Sequence, residues 1–305
     1  MMTHFDNSKI TPGGNQSSVS FTGATSLSDS GAARLKCNHQ RKSESSGQLK
    51  TKTKTFFGTF NINTLLQPGK LFQLGNSLQE QNIQILALQE TRMTDENTMD
   101  FGNYRLFKSK TNKRILKNTP HLGVAFAVSK NILNSITEVN PINERLMTMS
   151  LKRANKKYTL INAHMPINQE NKSDPEKVNK SWETLQSALA KIPKNNVKIL
   201  MGDFNAQLGK ERKFKKTIGS FPAHKWTNQN GKRLVEICKT FNLKIMSTHF
   251  KKAPSKQKTW RCPNSYLGEL QIDHVAISFT LTTKKFKMYK YVRVLTLTQI
   301  TILLK

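Results

Sequence analysis

From Thr55 onward, short apolar runs punctuate the chain, and their spacing alternates between that of strands and that of helices. Phe56–Ile62 reads as a buried strand, and Ile83–Leu88, Gly123–Val128, Tyr158–Ala163, Val197–Met201 and Ile272–Ser278 repeat the pattern. Between the first two, Leu71, Leu74 and Leu78 recur at helical spacing and predict a helix over Lys70–Gln81. Trp182–Lys191, placed after an Asp174-Pro175 break, and Leu234–Phe241 predict two more. Buried strands mixed with amphipathic helices predict a layered α/β or α+β domain. No internal repeat interrupts it.

The first 54 residues lack any such period. Gly13–Ser20 and Ser26–Ala33 are rich in Ser, Thr and Gly, and the aromatics of this stretch are Phe5 and Phe21. So little apolar surface cannot offset the entropy of ordering, so residues 1–54 are expected to be a disordered tail. Its basic end, Arg34 to Lys54, reads equally as an arm on nucleic acid or as a solvated segment. The fold is expected to occupy residues 55–305.

Charge then narrows the function. The 305 residues carry 49 Lys+Arg against 19 Asp+Glu, a net +30 that exceeds what solubility requires. A field of that sign implies a polyanionic partner and argues against a specialist in small apolar ligands. Cys37, Cys238 and Cys262 are too few and too scattered for a disulfide framework or a zinc cluster, which suggests a reducing compartment. No apolar run is long enough to span a bilayer, and the N-terminus lacks a signal peptide's apolar core. The expectation is a nuclear or cytoplasmic protein, neither secreted nor membrane-bound.

Four strand ends finish in polar groups. They are Gly58-Thr59-Phe60-Asn61-Ile62-Asn63, Ala87-Leu88-Gln89-Glu90-Thr91, Asn162-Ala163-His164-Met165-Pro166 and Leu200-Met201-Gly202-Asp203-Phe204-Asn205-Ala206. A rigid sheet aims such residues, and the loop after it leaves room for a substrate. Singly, each has a plainer reading: Asn61 or Asn63 a turn amide, Glu90 a helix-start acid, His164 a packed histidine, Gly202–Asn205 an Asx turn. In order, they converge on one chemistry. A phosphodiester transition state gathers negative charge, so it needs a cation, hydrogen-bond donors and an activated water. Mg²⁺ suits one or two carboxylates and keeps several waters, which makes Glu90 the first candidate ligand.

That order, completed by Gln271-Ile272-Asp273-His274, resembles the endonuclease/exonuclease/phosphatase superfamily. More narrowly, Thr227–Leu234, Ile245–Phe250 and Lys258–Asn264 resemble the endonuclease domain of RTE-type non-LTR retrotransposons. The resemblance covers about Thr55 to Ser278. It implies the α+β form of the fold, a two-layer β-sandwich flanked by helices, with the polar strand ends meeting at one edge. It also implies a nuclease that nicks DNA with Mg²⁺ or Mn²⁺, acting as a monomer with no small-molecule cofactor. By resemblance, Asn61 and Glu90 lie at the metal, and Asn63 and Trp260 at the substrate. His164 contacts the scissile phosphate, Asp203 orients the attacking water, Asn205 steadies the phosphate, and Asp273 holds a later histidine. For Trp260, as against Trp226, buried packing is expected over stacking on bases. His274 follows Asp273 on one strand, so the two face opposite ways and His274 is expected to pack.

Relatives end in a strand carrying Ser-Asp-His, whose His is the general base. Here no Asp, Glu or His follows His274, so no general-base histidine is found. Thr298-Gln299-Ile300-Thr301 must be encoded ACN-CAR-ATH-ACN, and the frame two nucleotides later permits Ser-Asp-His. The expectation is a frameshift between about Val294 and Thr298 that leaves a strand but not its chemistry. Two readings compete with an active nuclease. One is a basic nucleic-acid-binding remnant without catalysis; a weaker one is a phosphatase or lipid phosphodiesterase on the same fold.

Overall fold

Burial on both faces accounts for the uninterrupted apolar runs. The structure is a computed structural model that describes residues 55–94, 98–109, 111, 113–118, 120–153, 155–168, 174–261 and 268–279, with the backbone of four strands between 286 and 304. The tail expected over residues 1–54 lies outside the described residues. One sheet takes β1 (Thr55–Asn61), β2 (Ile85–Gln89), β3 (Met99–Phe101), β4 (Tyr104–Lys108) and β5 (Ala125–Ser129), with α1 (Lys70–Glu80) and α2 (Lys113–Asn118) between them in sequence. A second sheet takes β6 (Ile136–Asn143), β7 (Leu146–Arg153), β8 (Lys156–His164), β9 (Val197–Asp203) and β10 (Leu243–Ile245). Helix α3 (Pro175–Lys191) links β8 to β9, and α4 (Gln229–Thr240) precedes β10. A ribbon of β11 (Trp260–Arg261) and β12 (Glu269–Leu270) leads into β13 (Asp273–Ser278), which joins the second sheet. Last come β14 (Phe286–Tyr289), the pair β15 (Arg293–Val294) and β16 (Leu297–Thr298), and β17 (Ile300–Leu304).

The two sheets run β14-β17-β1-β2-β5-β4-β3 and β10-β13-β9-β8-β7-β6. Alternate residues fill the space between them: Phe57, Ile85, Ala87, Phe126 and Val128 from one, Met147, Met149, Leu160, Ile199, Met201 and Val275 from the other. The remaining residues of the first sheet, Leu86, Leu88 and Leu106, pack under Leu74 and Leu78 of α1. Those of the second, Ile161, Leu200 and Ala276, pack under Trp182, Leu185 and Leu189 of α3 and Leu234 and Cys238 of α4. Each such side chain contributes about 1.5–3 kcal/mol on leaving water. The fold is therefore the α+β sandwich flanked by helices.

One expectation needs correcting, and one element was missed. Helix α3 starts at Pro175, not Trp182, because Asp174 is its cap: the carboxylate accepts the N–H groups of Glu176 and Lys177. Proline suits the first helical turn, where its missing N–H costs nothing. The hairpin β6–β7 was not anticipated, because β6 is half-buried and alternates too weakly to register as a strand. In the C-terminal segment, where a strand was expected to survive without its chemistry, β17 pairs antiparallel with β1, from Thr55↔Leu304 to Thr59↔Ile300.

Candidate active site

Strand register brings the polar ends together. On the second sheet His164 pairs with Asp203, and Asp203 with Asp273, so three neighbouring strands present one row. On the first sheet Asn61 pairs with Gln89, and Glu90 follows at once. A buried amide network ties the two sheets just beneath. Asn162 Nδ2 donates to Leu88 O at 3.0 Å and Ala125 O at 2.8 Å, while its Oδ1 accepts Gln89 Nε2 at 2.7 Å. Gln89 in turn bonds Thr59 Oγ1. Within β9, Gly202 takes a φ of 148°, and a Cβ there would enter the Ala163 carbonyl.

The joint between the sheets is Asn61. Its Nδ2 donates to Glu90 Oε1 at 2.8 Å and to Asp203 Oδ2 at 3.1 Å, so both carboxylates stand within two hydrogen-bond lengths of each other. Its Oδ1 accepts the Asn63 N–H at 3.1 Å. Glu90 itself has φ 54°, a left-handed conformation unusual for this residue. Its second oxygen lies 3.1 Å from His121 Nδ1 and 3.8 Å from the Arg92 guanidinium. Arg92 also donates to Asn63 Oδ1 at 2.7 Å, which fixes Asn63 at the exposed rim.

The other half of the site is dry. Asp203 Oδ1 accepts the Asn205 N–H at 2.9 Å. Burial raises its pKa to about 6, opposed by the bonds from Asn205 and Asn61 and assisted by the Glu90 charge. Asp273 is pushed well above the usual carboxylate range by burial and then by Asp203 beside it. Its Oδ1 is buried and, among the described residues, without a hydrogen-bond partner. His164 Nε2 lies 4.0 Å from Glu90 Oε1. Burial, with Arg145 and His121 nearby, pushes the imidazole down to about 3, so it is neutral. Asn205 spends one N–H of Nδ2 on Met165 O at 2.9 Å and keeps the other for a ligand.

The motif Thr227–Leu234 braces this half from below. Asn228 caps α4 through Gly231 N, accepts Gln207 N and donates Nδ2 to Asn205 O. Asn230 Nδ2 donates to Phe204 O and Pro166 O, the loops after Asp203 and His164. Thr259 Oγ1 accepts the N–H groups of Ile272 and Asp273 and so anchors the next residue, Trp260. Trp260 was expected to pack inside; it is instead 37% exposed, on a ribbon too short to bury it, and Trp226 is 70% exposed. His274 faces away from the site, buried between Ser247 Oγ and Ala206 O at 2.8 Å each. Sequence reasoning missed Arg92, His121 and Arg145. The last donates to His164 O from the β6–β7 turn, and predicting that hairpin was the signal that could have found it.

Comparison with known proteins gives this geometry its context. The Endonuclease/Exonuclease/phosphatase family model matches residues 58–287. Craniofacial development protein 2 of Bos taurus is 27% identical over 218 residues, 72% of this chain and 35% of its own length. That of Tragulus javanicus is 26% identical over 218 residues, 72% and 36%. The chain thus spans about a third of these curated relatives. The endonuclease domain of TRAS1, a telomere-specific non-LTR retrotransposon, matches with TM-score 0.56 at 13% identity, covering 83% of this chain and 99% of that one. AP endonuclease LMAP from Leishmania major matches with TM-score 0.61 at 12% identity, covering 83% and 88%. At such identities the shared property is the fold.

Proposed function

Because the chain belongs to the endonuclease/exonuclease/phosphatase family, we propose that residues 55–305 form a phosphodiesterase of the RTE retrotransposon type that nicks DNA, with strongly reduced activity. The observation that carries the reading is the single amide nitrogen of Asn61 shared by Glu90 and Asp203. It sets an open carboxylate beside a buried one where a phosphate and a water can meet. The donor set suits a hard divalent ion. Three acids crowd together, yet among the described residues no three His, Cys, Asp or Glu side chains form a chelating group. Glu90, with Asn61 beside it, would hold Mg²⁺, or Mn²⁺ as substitute, with water completing the shell. Such an ion would supply positive charge against the phosphate oxygens.

The remaining work falls to side chains. Asp203, ionised at neutral pH but with its pKa raised toward it, takes the proton of the attacking water. Neutral His164 donates one N–H to the scissile phosphate, and Asn205 offers its second amide hydrogen. Arg145, beside them, balances the acids. Asn61 serves as the bridge that holds both carboxylates in place. Trp260 and Trp226 offer faces for bases, Asn63 and Arg92 a rim for the backbone. The excess of lysine and arginine supplies affinity for duplex DNA that depends on salt more than on sequence. The protein acts as a monomer, without an organic cofactor, in the nucleus or cytoplasm. Among the described residues no helix is long and apolar enough to cross a membrane.

Asp273 favours the second reading, a DNA-binding remnant without catalysis. Its Oδ1 has no partner among the described residues, and no histidine follows His274 in the sequence, so one general acid–base group is lacking and about 10²–10⁴ in rate with it. Supercoiled-plasmid nicking decides between the two. Slow Mg²⁺-dependent nicking that vanishes in Glu90→Ala supports the impaired enzyme. Nicking at the same low level in both proteins supports the remnant, and robust nicking overturns the impairment.

A further inference from the structure

The far end of the second sheet carries a built feature that DNA nicking leaves unused. Strand β13 starts at Asp273 and ends at Ser278, so Phe279 lies about 20 Å from the acids, six residues of extended chain away. There a cavity of about 500 Å³ is lined by Lys215, Lys216, Lys239, Lys244 and Phe279. The four lysines come from three separate pieces of chain: the turn after Phe214, the end of α4, and β10. Among the described residues no carboxylate lines the cavity. Lys213 nearby pairs with Glu211, but among the described residues none of these four has an ion-pair partner.

Gathering four ammonium groups around one hollow raises their mutual repulsion without burying apolar surface in return. Two of the heads are also held in place. Lys239 Nζ sits 5.2 Å from the Phe214 ring, and Lys244 Nζ sits 4.1 Å from the Phe279 ring. Phe279 keeps 52% of its surface exposed, a large aromatic at the mouth of a cationic pocket. The volume falls in the range of sites for small organic molecules, about 300–1,000 Å³, which is beyond what a lone anion fills.

We propose that this pocket is a second nucleic-acid contact, which takes a single-stranded segment with its phosphates on the lysines and a base against Phe279. A duplex keeps its bases stacked inside, so a concave pocket with one aromatic at its mouth cannot use them; an unpaired strand offers both groups at once. The contact is independent of Glu90 and Asp203. The protein could then hold an unpaired strand at one end of the sandwich while duplex DNA occupies the other.

Fluorescence anisotropy of the full chain with a short labelled single-stranded oligothymidylate tests the proposal. Phe279→Ala should weaken that binding by roughly 5- to 100-fold with the salt dependence unchanged, as loss of one stacked base does. Lys239→Gln with Lys244→Gln should flatten the salt slope by about 1–1.5 log units per log salt, with little change for a labelled duplex. Glu90→Ala should leave single-strand binding intact even if the nicking proposal fails. Equal losses for single strand and duplex would reduce the pocket to part of the general field and overturn the proposal. So would displacement of the oligothymidylate by inorganic phosphate at the concentration at which thymidine monophosphate displaces it. Should Phe279→Ala fail to fold, the solvent-facing lysine pair decides alone.

Discussion

Glu90 and Asp203 share one amide nitrogen but occupy opposite environments. Glu90 sits on a left-handed turn after β2, with its outer oxygen facing Arg92 and His121 at an open rim. Asp203 ends a strand buried at every residue, and its partners are an amide and a backbone N–H. The contrast separates two tasks that both call for a carboxylate. An open acid can exchange its neighbours for a cation and water; a dry one has its proton affinity raised and its direction fixed. Asp273 extends the dry half and shows its cost, since a buried carboxylate oxygen there has no partner among the described residues.

The largest expected effect breaks the contrast at its chemical end. Asp203→Asn keeps the shape of the side chain and removes its basicity, so residual plasmid nicking should fall by roughly 10²–10⁴-fold at every Mg²⁺ concentration. Glu90→Gln should lose activity that added Mg²⁺ partly restores, because the lesion is in binding the ion. Identical metal titrations for the two variants would erase the division of labour proposed here.

Next in size is the tie that keeps the halves in register. Asn162→Ala leaves Leu88 O, Ala125 O and Gln89 Nε2 without their side-chain partner in the space between the sheets. Buried groups left unpaired cost about 1–3 kcal/mol each, and with partial relaxation the variant should lose about 2–4 kcal/mol in urea unfolding. A loss within the error of the wild-type midpoint would mean that the two sheets are held by apolar packing alone.

These two predictions rest on residues of unequal legibility. Asn61, Glu90, His164 and Asp203 stood out because each lies at the end of an apolar run, and Asp273 because it opens one; a run with a polar terminus is visible in one dimension. The sandwich was readable for the same reason, since strands buried on both faces form unbroken apolar words. Asn162 lies inside such a run, and its role depends on carbonyls 74 and 37 residues away. Arg145 sits in the turn of a hairpin whose first strand is half solvent-facing, so neither the strand nor the cation stood out. Asp174-Pro175 misled because a cap followed by proline and a chain break share the same two letters; only the bonds to Glu176 and Lys177 tell them apart.

The smallest expected effect is on the stability that the dry acid confers in the absence of metal. Asp203 has a folded pKa of about 6 against an ordinary 3.8. A raised carboxylate pKa contributes stability that is complete below the unfolded value and is lost as pH rises through the folded one. Asp203→Asn removes that loss, so the variant should equal the wild type near pH 4 and exceed it above pH 6, by at most about 3 kcal/mol. The buried imidazoles work in the other direction. His164 and His274, pushed down to about 3 and about 4 from 6.5, are most stabilising above pH 6.5 and lose that contribution as pH falls. Both proteins share the slopes of the histidines and of Asp273, so relative to wild type Asp203→Asn should gain stability as pH rises from about 4 to 6. Thermal unfolding midpoints of the two proteins, measured in chelator across that range, check the difference; curves that stay parallel would show that burial does not raise the Asp203 carboxylate.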